Sequence, residues 1–146
     1  MQKKGIIMFD LTKKQFLKRS AICLDETGIQ ILLIRELIDY ETDGKVDVKE
    51  AYKKINLIIK GVELVFFKYE DLNPPSKCVS LHLKILNSLI ALQGIVSVNY
   101  DFVTASIEGK EELAAEKLLE SNVLLEKFRK DFRPLTMEVD SYLTKK

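Results

Sequence analysis

Seven residues have the types and spacing to do chemistry. Asp39, Glu41, Asp43, Asp47 and Glu50 place five carboxylates within twelve residues, around Gly44. Several oxygens converging from one tight turn is what a hard cation such as calcium requires. Cys78 and His82 stand four residues apart, so a helix would put them on one face, where an imidazole could take the proton of a thiol. A nucleophilic thiolate also needs an electropositive, partly open setting, and the surrounding segment reads as buried. His82 is the only histidine, so a di-iron site built on two Glu-x-x-His motifs is excluded. Cys23 and Cys78 are too few for a disulfide framework and fit no zinc spacing. They are expected as buried free thiols, with a bridge possible only after export. The chain has no P-loop, GxGxxG, HExxH or GxSxG motif.

From Asp39 to Glu50 the chain reads Asp-Tyr-Glu-Thr-Asp-Gly-Lys-Val-Asp-Val-Lys-Glu. This resembles the calcium loop of the EF-hand family. Asp39, Glu41 and Asp43 match loop positions one, three and five. Gly44 matches six, Val46 eight, Asp47 nine, and Glu50 the closing carboxylate at twelve. The resemblance implies calcium held by these oxygens together with the Lys45 carbonyl. The same residues also read as a plain connector. Asp39 and Glu41 would end a solvated helix, Gly44 would turn the chain, and Asp47 and Glu50 would cap the next helix. The connector is the preferred reading, and no catalytic, cofactor-binding or metal-ligating set is assigned.

Four elements have to position these groups. Residues 76–107 form the most apolar long stretch, with side-chain charges only at Lys77, Lys84 and Asp101. Helical spacing aligns Cys78, His82, Ile85, Leu89, Leu92, Val96, Val103 and Ile107. Alternation also runs through Val79-Leu81-Leu83-Ile85 and Val96-Val98-Tyr100-Phe102, so strands within 77–104 are the alternative. Helix is preferred because the segment holds no hairpin turn. Gly94 is its weak point.

Thr12 to Gln15 is a capping box opening a first helix through Phe16, Leu17, Ile22, Leu24, Ile31, Leu33, Ile34, Leu37 and Ile38. Asp25 to Gly28 is a possible break, with Thr27 as a second cap. Asp47 to Glu50 opens a second helix carrying Ile55, Ile58, Ile59, Val62, Val65, Phe66 and Tyr69. Pro74-Pro75 ends that region. After Gly109 a fourth helix carries Leu113, Ala114, Leu118, Leu125, Phe128 and Phe132. Pro134 stops or kinks it, and Leu135 to Leu143 could form a last short helix. The expected fold is an all-α, antiparallel, up-and-down four-helix bundle over one domain, 1–146, with residues 1–11 as an arm.

Composition sets further bounds. A net charge of +1 gives no field for nucleic acid. Charge is uneven along the chain, however. Residues 25–50 carry eight acids against three bases, while the first twenty are basic, with Lys3, Lys4, Lys13, Lys14, Lys18 and Arg19 against Asp10. Two solvated, mutually attracting faces are the expected outcome. Phe66, Phe67 and Tyr69 beside Lys60 and Lys68 read as core with snorkelling lysines, not as a base-stacking platform. No run of about 18 uninterrupted apolar residues occurs, so no membrane-spanning segment is expected.

The Leu11-Thr12-Lys13-Lys14 opening, Pro74-Pro75 followed by Leu81-His82, and the polar helix from Leu113 to Phe128 resemble a broad group of uncharacterised bacterial helical-bundle proteins. Many of that group are exported or lipid-anchored. As given, the chain reads as cytoplasmic, or as exported if a signal has been removed. The resemblance implies a bundle without an active site. The functional expectation is a non-enzymatic protein acting through a protein partner or self-association. The alternative is a calcium-binding bundle using the loop from Asp39 to Glu50.

Overall fold

The computed structural model describes residues 11–144. Most of the expected N-terminal arm therefore lies outside the described residues. Four long helices run α1 (Lys13–Thr42), α2 (Val48–Glu70), α3 (Val79–Ile107) and α4 (Glu111–Thr144), with a 3-10 turn, Ser76–Cys78, leading into α3. Each helix packs on the next, and α4 closes back onto α1. The arrangement is the antiparallel four-helix bundle expected from the short connections. Helices α1 and α3 also meet across one diagonal, whereas α2 and α4 stand apart across the other.

The ends of the helices are written in the sequence. Thr12 accepts from the Gln15 amide at 3.1 Å, and the Gln15 side chain accepts from the Thr12 amide at 2.9 Å, a complete capping box. Asp47 accepts from the Glu50 amide at 2.8 Å, but the reciprocal bond is missing because Glu50 faces Lys54. Helices α1 and α3 end in the same way. Gly44 and Gly109 take φ of 67° and 73°. The amides of Lys45 and Lys110 reach back to the carbonyls of Tyr40 and Ala105. Those of Gly44 and Gly109 bond Glu41 and Ser106. A side chain at either glycine would force L-stereochemistry into the left-handed region.

The segment 77–104 is helical, as preferred, and the strand alternative does not form; Gly94 sits at an exposed position where its cost is tolerated. Two expectations need correction. Residues 25–28 do not break α1. Thr27 is buried and donates to the Cys23 carbonyl at 2.7 Å, a bond made inside the helix, so it caps nothing. Pro134 does not end α4. Proline removes one helical bond, the one to the Lys130 carbonyl, while Leu135 and Val139 are held in the core and carry the helix on. Among the described residues no separate C-terminal helix forms.

The core has two parts. One gathers Ile34, Leu37, Ile38, Ile55, Val62, Leu92, Val96 and Leu125 around the end where α1 gives way to α2. The other gathers Phe16, Leu17, Tyr69, Cys78, Leu81, Ile85, Leu89 and Val139 at the opposite end. Each fully buried Leu or Ile contributes about 1.5–3 kcal/mol relative to exposure. Ile22, Leu33, Ile107 and Leu113, grouped by spacing with the core stripes, are instead exposed. The helix Ser76–Ile107 is long and apolar enough to cross a bilayer by length and composition alone. Here it packs against α2 and α4.

Gly94 lies inside α3, and a methyl group added there would meet nothing within 4 Å. Gly94→Ala is therefore expected to raise stability by about 0.5–1 kcal/mol, since alanine loses less chain entropy in a helix. Urea unfolding followed by circular dichroism checks this.

Candidate functional site

The carboxylates of the Asp39–Glu50 segment are divided between the end of α1 and the start of α2. Asp39, Glu41 and Thr42 belong to the last turns of α1, and Asp47 is occupied as the cap of α2. Glu41 turns away from the loop into the bundle. Its Oε1 accepts from Asn99 Nδ2 of α3 at 2.8 Å. That amide also reaches Ser121 Oγ of α4 at 3.3 Å, and Ser121 donates to the Leu118 carbonyl. Among the described residues no group of three or more His, Cys, Asp or Glu side chains is arranged to hold a metal ion.

Glu41, Asn99 and Ser121 thus form a buried polar trio that sequence spacing did not single out. Burial pushes the Glu41 carboxyl up to about 7, and the bond from Asn99 offsets only part of that. Glu41 Oε2 and Asn99 Oδ1 lack hydrogen-bond partners. A protonated Glu41 supplies the donor the trio lacks, because the Ser121 hydroxyl is turned to Leu118. The only signals in the sequence were one acid and one amide at otherwise apolar helical positions.

Cys78 and His82 lie one turn apart but share no bond. His82 Nε2 lies 2.9 Å from the Tyr69 carbonyl. A carbonyl only accepts, so Nε2 carries the hydrogen. The imidazole is clamped between rings, 4.8 Å from Tyr69 and 5.5 Å from Phe16 between centroids. The Tyr69 hydroxyl lies 2.7 Å from Ser20 Oγ. Ser20 spends its own hydrogen on the Phe16 carbonyl, so Tyr69 is the donor. Burial raises the Tyr69 phenol and both thiols, Cys23 to about 12. Both cysteines are free and buried. Those surroundings favour the thiol over the thiolate.

A further concavity lies elsewhere, between α1 and α4. It is an open groove of about 700 Å³. Ile31, Leu32, Phe132 and Met137 supply apolar walls, and Arg129, Lys130 and Arg133 supply cations on the α4 side. Gly28 widens it, having no side chain to fill the α1 wall. Arg129 is held by Glu126 at 3.0 Å. Sequence spacing gives no hint of this groove, because it joins residues about a hundred positions apart. Comparison with family models, with curated proteins and with solved structures finds no match to this chain.

Two outcomes follow from this geometry. Millimolar calcium is expected to leave the Gly44 amide resonance unmoved, because Glu41 is committed to Asn99; a saturable downfield shift in the NMR spectrum would show the opposite. The second concerns pH. Above about pH 7 the folded chain holds a buried carboxylate at full cost. As pH falls from about 7 toward 4.5, the folded state takes up a proton before the unfolded one does, so stability rises. Glu41→Gln is expected to stabilise the protein at pH 8 by on the order of 2–3 kcal/mol, and to be near neutral at pH 4. Urea unfolding at the two pH values tests this.

Proposed function

We propose that this protein is a non-enzymatic association module, acting through contact with another polypeptide chain. The α1/α4 groove carries the reading. Apolar walls open to solvent, edged by cations, are the features of a surface that receives a helix. A small-molecule site would bury most of its ligand's surface, and this groove is too open to do so. Leu32 and Met137 stand 63% exposed at its edge, where they extend the apolar surface offered by the groove. Ser20, Tyr69 and His82 are spent on internal bonds, Glu41, Asn99 and Ser121 are buried against one another, and the thiols are held in their unreactive form. These observations support association ahead of catalysis.

Placing a photoactivatable residue at Leu32 in cells tests the reading. Adducts heavier than the monomer are expected after illumination. Their absence, with a control position such as Glu70 behaving identically, would sink the proposal. Leu32→Asp combined with Met137→Asp is expected to remove the adducts formed from a probe at Thr136, while thermal unfolding stays unchanged.

A further inference from the structure

Helix α4 carries a second stripe on its outer surface. Glu112, Glu116, Leu119, Val123, Glu126, Lys130, Arg133 and Met137 recur at alternating steps of four and three residues. That spacing puts all eight along one line of the helix. All eight are exposed. Leu119 and Val123 are 65% and 60% exposed, although they sit near the middle of the longest helix. Three of the eight, Leu119, Val123 and Met137, are apolar, and the other five are charges that a partner helix could pair.

The helix is also polarised along its length. Residues 111–126 hold five acids and one base, whereas residues 127–137 hold four bases and one acid. Its basic half, with Lys130, Arg133 and Met137, lines the α1/α4 groove together with Glu126 at the boundary. No acid partner of Lys130 or Arg133 is found among the described residues. The acidic half, with Leu119 and Val123 at its centre, is an amphipathic segment whose charges oppose those of the groove.

We infer that the groove is filled by a second copy of this chain. Two α4 helices pair antiparallel, and the acidic half of each lies against the basic groove of the other. This rests on the association reading above and names its partner. A two-fold axis near Val123 makes the contact isologous, so each complementary pair occurs twice. It brings Glu112 and Glu116 of one protomer toward Lys130 and Arg133 of its partner, and sets Leu119 and Val123 at the centre of the seam. The overlap from 112 to 137 spans about 39 Å at 1.5 Å per residue. A seam of that length, widened by Leu32 at the groove edge, is long enough for an interface of ordinary size. A parallel pairing is disfavoured, because it would set acid on acid and base on base.

The test is charge exchange, read by light scattering and sedimentation of the full chain. The wild-type protein is expected to be a dimer that weakens as salt is raised. Glu112→Lys with Glu116→Lys is expected to weaken it about tenfold or more, and so is Lys130→Glu with Arg133→Glu. All four residues are exposed, and circular dichroism confirms that the variants fold. The quadruple variant, with both sets exchanged, is expected to regain the dimer. A dimer indifferent to either double exchange overturns this pairing, and so does a quadruple variant that stays apart. A purified wild-type chain that remains monomeric at several hundred micromolar overturns self-association. If cellular adducts at Leu32 then persist at the mass of a different protein, the association reading stands without it.

Discussion

Helix α3 is apolar around most of its circumference, and the face that carries Leu81, Ile85, Leu89, Leu92, Val96 and Val103 must be enclosed. The rest of the bundle follows from that requirement. Helices α2 and α4 flank it along their lengths, and α1 approaches it across the diagonal. The shorter diagonal is the one that contains α3, so the most apolar helix has three neighbours while α2 and α4 have two each. That asymmetry explains how a chain with 31% of its residues charged can keep so continuous a core. The charges are carried by the outer faces of the helices, as with Lys84 of α3, whose ammonium reaches across to Glu138 of α4 at 3.2 Å.

Enclosing α3 leaves the other helices with surface to spare. Helix α4 has 34 residues, the most of any. Its inner face is satisfied by Ala114, Leu125, Phe128, Leu135 and Val139. Leu119, Val123 and Met137 on its outer face add nothing to that packing. Where Gly28 removes a side chain from α1, the gap beside α4 becomes a groove instead of a closed seam. Shape and charge at this face therefore arise from the demands of the core together with one missing side chain.

Much of the fold was legible in the chain. Thr12 and Gln15, Asp47, Gly44, and Pro74-Pro75 mark boundaries because each acts through its own neighbours, within three or four residues. Thr27 and Pro134 misled because their effect depends on tertiary context. Thr27 had an intrahelical carbonyl to bond, and Pro134 lies between two anchored segments. The calcium-like spacing of residues 39–50 is a matter of one dimension only. Whether Glu41 faces the loop or the core is decided by Asn99, fifty-eight residues away. The groove was invisible for the same reason, being made by two helices at opposite ends of the chain.

The buried polar trios have a further consequence. Glu41, Asn99 and Ser121 come from α1, α3 and α4, while Ser20, Tyr69 and His82 come from α1, α2 and α3. Leucines and isoleucines are interchangeable partners, and an apolar seam alone lets one helix slide along another by a turn at modest cost. These trios do not permit it. A slip of one turn, about 5.4 Å, would strand a buried carboxyl, amide, hydroxyl or imidazole without its partner, at about 1–3 kcal/mol for each neutral group. Between them the two sets touch every helix, one at each end of the bundle. They act as pins that fix the vertical alignment of all four rods, and so keep the stripes on the outer surface at constant height.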